Sequence, residues 1–220
     1  MKDKKQNINT VCYIVGAGDL QETSFSLSKR GILIAADGGY TAIKKAGIIP
    51  DYLVGDLDSL VEIPNDIPTE IHCKEKDETD MMLAVNKGFD LGYRKFVIYG
   101  GLGGRLEHSI ANIQLLSYIA KKKARGYLIQ GDNIITVLID ENYTIEAKDK
   151  GYISVFSLCA LSKGVTLKGL KYILNDSELT NDCPIGISNE FIGKSVSIDV
   201  KDGTLMVLWS SKDPEESLFT

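Results

Sequence analysis

An α/β domain with a mainly parallel sheet, followed by an all-β sandwich, is the fold class this sequence predicts. Three observations carry it. Up to about residue 130, short apolar runs alternate with segments of helical period. Beyond that point only short β-rich runs remain, broken by Gly, Asn and Asp turns. Glycines and aspartates in the first part stand directly behind apolar runs, where strands end and loops begin. The expected organisation is one domain over residues 1–130 and a second over 131–220.

The first strand is Val11–Val15, closed by Gly16-Ala-Gly18, with a helix expected over residues 20–30. Ile32–Ala36 forms the second strand, ending at Asp37-Gly38-Gly39. Thr41 to Ala46 suits a short helix stopped by Gly47. Tyr52–Val54 is the third strand, and a brief one lies near Glu70–Cys73. Asp77-Glu-Thr-Asp80 opens a helix with apolar positions at Met82, Val85 and Phe89. Phe96–Tyr99 is a strand leading through Gly100-Gly-Leu-Gly-Gly104-Arg105 into a long helix. Cations at Lys121–Lys123 and Arg125 suit its negative end. Strands then follow at Ile134–Ile139, Tyr143–Ala147, Tyr152–Leu158, Val165–Leu170, Val196–Val200 and Leu205–Trp209.

Composition narrows the function classes. The 220 residues carry 44% hydrophobic and 25% charged side chains, ordinary for a globular protein, and a net charge of -5. Residues 1–125 hold 17 Lys/Arg against 16 Asp/Glu, and residues 126–220 hold 8 against 14, so neither half offers a broad basic surface for nucleic acid. Cys12, Cys73, Cys159 and Cys183 form no C-x-x-C pair, which argues against structural zinc and a disulfide framework. A polar N-terminus and the lack of a long apolar run predict a cytoplasmic protein without a membrane segment.

The candidate chemistry gathers at strand ends. Asp56 and Asp58 follow the third strand, and in extended backbone residues two apart point to one side. Like charges that close repel, so the pair calls for a cation or several donors, and oxygen ligands suit Mg2+. Residues 51–80 hold ten acids against Lys74 and Lys76, and Asp80 is the third candidate ligand. A solvated turn and a helix cap use the same residue types, with Thr79 and Asp77 as ordinary caps.

Gly100 to Gly104 leaves room for a phosphate to approach backbone N–H groups, and Arg105 adds a forked donor. His108, at the start of the next helix, can donate to a phosphate or merely cap the helix. Gly16-Ala-Gly18 with Asp37 nineteen residues on is similar to a dinucleotide fingerprint, but Gln21 stands at the third glycine position. No P-loop pattern is present in the sequence.

Together these stretches resemble the thiamine pyrophosphokinase family. The matching segments, in the family's order, are Ala36–Gly39, Pro50–Ser59, Lys76–Asp80, Gly101–His108, Gly169–Tyr172 and Ile187–Glu190, with Leu205–Trp209 as a last strand. The resemblance implies an N-terminal α/β nucleotide domain, a C-terminal β-sandwich, and a homodimer with active sites at the subunit interface. It implies transfer of the diphosphoryl group of ATP to thiamine, giving thiamine diphosphate and AMP.

By the same resemblance Asp56, Asp58 and Asp80 hold Mg2+. Asp37, Gly38, Thr79, Gly103, Gly104, Arg105 and His108 surround the nucleotide or the transferring phosphates. Ser188, Asn189 and Trp209 take thiamine. Glu107 stands where the family more often has Asp, and Tyr172 where it often has Trp. A metal-dependent glycosyl- or nucleotidyltransferase, or a non-catalytic nucleotide- or thiamine-binding sensor, shares parts of the pattern. The glycosyltransferase alternative has no place for the glycine-arginine loop, and a sensor of the vitamin alone has no need of the acids.

Overall fold

The computed structural model describes residues 7–20, 31–58, 64–73, 75 and 77–218. The expected helix over residues 20–30 therefore lies outside the described residues, apart from its first position. The chain divides into two compact units, Met1–Leu115 with Lys123–Gly131 and Leu116–Lys122 with Asp132–Thr220.

The first unit contains strands β1 (Asn7–Val15), β2 (Gly31–Ala36), β3 (Tyr52–Gly55), β4 (Thr69–Ile71), β5 (Tyr93–Tyr99) and β6 (Arg125–Gln130). All of their pairings are parallel, in the order β6-β5-β1-β2-β3-β4. The chain winds outward from β1 through β2 and β3 to β4, then returns to place β5 on the other side of β1. That reversal is a topological switch point, and ligands of open parallel sheets bind outside the carboxyl ends of the strands there. The central strands are buried, with Cys12, Ile14, Val15, Ile34, Leu53, Val54, Phe96 and Ile98 at most 0% exposed. Such uninterrupted apolar runs mark strands covered on both faces.

Helix α1 (Gly39–Lys45) starts two residues before the expected Thr41, and its first residue packs against β1 more closely than any side chain permits. A Cβ there would lie 2.0 Å from the Val15 carbonyl oxygen. Helix α2 (Asp80–Asp90) begins as expected behind Thr79, whose hydroxyl accepts the Met82 N–H at 3.2 Å. Its buried residues are Met81, Leu83, Ala84, Val85 and Gly88, so the buried face keeps the expected Val85 but is rotated away from Met82 and Phe89. The rotation has a cause: a Cβ at Gly88 would meet Phe96 Cε1 at 2.5 Å and Cys12 Sγ at 2.8 Å. The helix thus seats its glycine on the sheet, leaving Phe89 half-buried against the Phe96 ring at 4.7 Å. Helix α3 (Leu106–Lys121) follows the glycine loop behind β5.

On the far edge, α2 is tied to β4 by charge. Lys87 Nζ lies 2.9 Å from Glu70 Oε2, and His72 Nε2 lies 3.1 Å from Glu70 Oε1. The hydrogen bond from Lys87, more than any other contact, holds the Glu70 carboxyl below the usual glutamate range. A depressed carboxyl stabilises the fold above its unfolded pKa and loses that contribution as pH falls through the folded value. Glu70→Gln is therefore expected to flatten the acid limb of a stability curve below pH ~4.3. With Glu70 nearly half exposed the difference should be under about 0.5 kcal/mol. Urea midpoints at pH ~3.5 and ~6 check it, and an unchanged difference between them would remove the assignment.

The second unit is antiparallel throughout. Strands β7 (Asn133–Ile139), β8 (Asn142–Ile145), β9 (Tyr152–Ser157), β10 (Ser162–Lys168), β11 (Leu174–Leu179), β12 (Asn189–Glu190), β13 (Val196–Asp199) and β14 (Thr204–Ser210) make it up. Four of them run in the order β12-β9-β14-β7, and the others form a sheet in the order β11-β10-β13-β8. Alternation fixes which side is buried: Leu205, Val207 and Trp209 in β14, and Val196 and Ile198 in β13. The Trp209 ring lies 6.2 Å from Tyr143 of β8, so the two layers share a core. Strands β11 and β12 were not expected from sequence; β11 is polar and largely exposed, and β12 is two residues long.

Candidate functional site

Four loops leave the carboxyl ends of neighbouring parallel strands, and together with the start of α2 they line one cavity of about 620 Å³ in the first unit. That volume lies within the ~300–1,000 Å³ range of small-ligand sites. The cavity brings together nine of the sequence-predicted residues: Asp37, Asp56, Asp58, Thr79, Asp80, Gly103, Gly104, Arg105 and His108. Gly38 stands beside it as the N-cap of α1.

One wall is acidic. Strands β2 and β3 are neighbours in register Ala36↔Val54, so their carboxyl ends set Asp37 beside Asp56. Carboxylate oxygens of Asp37, Asp56 and Asp58 lie within 4.8 Å of one another. Asp80 lines the same cavity but is not part of that group. Two backbone devices make the cluster. Asp37 adopts φ 44, a left-handed conformation that Asp tolerates, and donates its N–H to the Val54 carbonyl at 2.9 Å. Gly55 beside it, at φ 151, leaves room: a Cβ would lie 3.1 Å from Asp37 Cβ.

Asp56 and Asp58 do not converge by extended geometry. Strand β3 ends at Gly55 and Leu57 takes φ 59, with its side chain buried. The chain turns, and Asp56 Oδ1 accepts the Asp58 N–H at 3.2 Å. Burying Leu57 offsets an unfavourable left-handed backbone, which for a non-glycine residue costs about 1–2 kcal/mol. Three hard oxygen donors so close fit a small divalent cation in number and chemistry.

The opposite wall is built of backbone. Gly100, Gly103 and Gly104 adopt φ 60, 77 and 66, conformations open to glycine. The loop behind β1 zips onto this one: Gly16 N–H donates to Tyr99, Gly18 N–H to Gly100 and Asp19 N–H to Leu102, at 2.8–3.0 Å. The Gly16-Ala17-Gly18 segment thus lines the cavity by close backbone approach, not as a dinucleotide fingerprint. Arg105, at the start of α3, bonds His108 Nε2 through Nη2 and meets Glu107 Oε1 at 3.4 Å through Nε. Glu107 is thus paired with the guanidinium, though it does not itself line the cavity. Both side chains are exposed, so the pair contributes little to the stability of the fold.

The remaining predicted residues lie in the second unit. Ser188 is exposed at φ 57, and its N–H donates to Ser154 Oγ at 3.0 Å. Asn189 is buried and uses both ends of its amide: Oδ1 accepts the Tyr172 and Glu190 N–H groups, and Nδ2 donates to the Tyr172 carbonyl at 2.6 Å. It clamps Tyr172, whose ring is exposed. Trp209 is 1% exposed, and its Nε1 lacks a hydrogen-bond partner among the described residues. Sequence reasoning missed Asn112, which lines the cavity, and it set aside Gly16 and Gly18.

An acidic cluster and a glycine loop lining one cavity at the switch point of a parallel sheet fit a phosphotransferase of α/β type, here followed by an antiparallel β unit. The family model for the thiamin pyrophosphokinase catalytic domain matches residues 25–128, and that for the thiamin pyrophosphokinase vitamin B1 binding domain matches residues 142–205. The chain belongs to the thiamine pyrophosphokinase family.

The thiamine pyrophosphokinase of Bacillus subtilis (strain 168) is 33% identical over 185 residues, covering 81% of this chain and 86% of that protein. The crystal structure of thiamine pyrophosphokinase from Bacillus subtilis superposes with a TM-score of 0.84 at 29% identity, covering 92% of this chain and 99% of the other. That from Geobacillus thermodenitrificans gives 0.81 at 27% identity, covering 92% and 98%. No helix among the described residues is long and apolar enough to cross a membrane.

Proposed function

We propose that this chain is a Mg2+-dependent thiamine pyrophosphokinase, which moves the diphosphoryl group of ATP to the hydroxyl of thiamine. Thiamine diphosphate and AMP are the products. One observation carries the proposal: the Asp37, Asp56 and Asp58 oxygens gather on one wall of the cavity that the Gly100–Gly104 loop and Arg105 close from the other. Acids alone would suit any cation and a glycine loop alone any anion. Together they suit a metal-bound polyphosphate.

In this reading Asp37, Asp56 and Asp58 hold the ion, with Asp80 at its edge. When bound, Mg2+ offsets the charge of the triphosphate. The thiamine hydroxyl oxygen bonds to the β-phosphorus as the bond from that phosphorus to the α,β-bridging oxygen breaks, and AMP leaves. Negative charge grows on the transferring and leaving oxygens, where the backbone N–H groups of the glycine loop and the Arg105 guanidinium can meet it. Asp58, the exposed member of the acid group, is the proposed acceptor of the hydroxyl proton, taken late. His108 is bonded to the Arg105 guanidinium through Nε2 and is the proposed second side chain of the phosphate wall.

The Ser188–Asn189 segment is the proposed thiamine site, Asn189 acting through its hold on Tyr172, whereas Trp209, expected there from sequence, is buried in the core of its unit against Tyr143. Assembly as a homodimer and a cytoplasmic location belong to the same proposal. Incubating the protein with thiamine, ATP and Mg2+ and following phosphorus by NMR tests it. Thiamine diphosphate with AMP is expected. Thiamine monophosphate with ADP would put attack at the γ-phosphorus, and thiamine binding without product would make the chain a sensor.

A further inference from the structure

We propose that Asn112 is a positioning residue of the phosphate site, acting through the Gly101 carbonyl. The proposal rests on the phosphotransfer reading of the cavity and adds to it a residue that no sequence motif singled out. Asn112 is the only buried polar or charged residue among the described residues of the first unit. A carboxamide in such surroundings costs free energy unless it is bonded. Its bond runs eleven residues back along the chain, from Nδ2 to the Gly101 carbonyl at 2.6 Å. A carbonyl can only accept, so the nitrogen end of the amide must face it. The residue also lines the cavity.

The loop it holds is poor in side chains that would choose one conformation. Its glycines at 100, 103 and 104 take left-handed φ values, and glycine brings no side chain to restrict the alternatives. On one side, the Gly100 and Leu102 carbonyls are held by the N–H groups of Gly18 and Asp19. The Gly101 carbonyl between them turns the other way, toward α3, and Asn112 holds it there. The alternation pins three successive peptide units, and the N–H groups of the following turn inherit their direction. Asn112 thus sets the aim of the anion-binding groups without touching the reacting atoms.

Asn112→Leu keeps the volume and removes the donor. Asn112→Asp keeps the shape but sets a carboxylate against the carbonyl. In both, amide hydrogen exchange at residues 101–104 of the ligand-free protein is expected to speed up. The value of kcat/KM for ATP should fall by about 10²-fold, the KM for thiamine staying near wild type. Unchanged exchange in the loop, or a rise in the KM for thiamine as large as the loss for ATP, would overturn the assignment. The exchange experiment needs no substrate, so it decides the role of Asn112 even if the wild-type protein makes no thiamine diphosphate. That result would count against the proposed activity instead.

Discussion

Asp56→Asn should lower turnover by roughly 10³-fold while the protein stays folded. The substitution is isosteric, and the Asn oxygen can still accept the Asp58 N–H that Asp56 Oδ1 accepts at 3.2 Å, so the turn survives. What disappears is one charge from three carboxylates within 4.8 Å of one another. Mutual repulsion at that range opposes folding in the absence of a cation, so the thermal midpoint of the metal-free variant should equal or exceed that of the parent. With Mg2+ added the order should reverse, because a cation stabilises the form that binds it. Asp37→Asn should behave in the same way despite its distance in sequence. Turnover retained at saturating Mg2+ would remove the metal role from this cluster.

Gly18→Ala is the second large effect, and its origin is steric. A Cβ at residue 18 would lie 2.5 Å from the Leu102 carbonyl oxygen and 2.6 Å from that of Gly100. Both obstacles are backbone, and both are held by hydrogen bonds from this same loop. No side chain can swing aside, so the two loops must part. A loss of about 2–3 kcal/mol in stability is expected, together with a higher KM for ATP. Gly104→Ala is the control: nothing lies within 4 Å of a Cβ there, and only its φ of +66 opposes the change. Urea denaturation and initial rates of both variants test the comparison. A Gly18→Ala protein as stable as the Gly104→Ala protein would show that the wall yields.

Much of this was legible in the sequence, for reasons that differ between the units. In the first, buried parallel strands read as apolar runs such as Ile32–Ala36 and Phe96–Tyr99, and the acids directly behind them locate the strand ends. In the second, β13 and β14 declare themselves by alternation, whereas β11, Leu174–Leu179, is an edge of mostly polar residues with little burial to mark it. The site was legible as a set of residues, less so as a geometry. Asp37 joins Asp56 and Asp58 because β2 and β3 are neighbours, and strand order is not written in local pattern. The turn at Leu57 was hidden because nothing in Asp-Leu-Asp announces a left-handed leucine; burial of that side chain decides it. Asn112 was hidden because its partner is a backbone carbonyl, which leaves no trace in residue type.

The zipper between the loops behind β1 and β5 has a kinetic corollary. Three N–H groups from residues 16, 18 and 19 bond to carbonyls of residues 99, 100 and 102, so three hydrogen bonds close the seam between the two loops. If the cavity takes a nucleotide as proposed, entry or exit by parting the two loops would require breaking these three hydrogen bonds. Traffic through the cavity therefore falls to its other margins, and whatever motion times product release belongs to segments outside this seam.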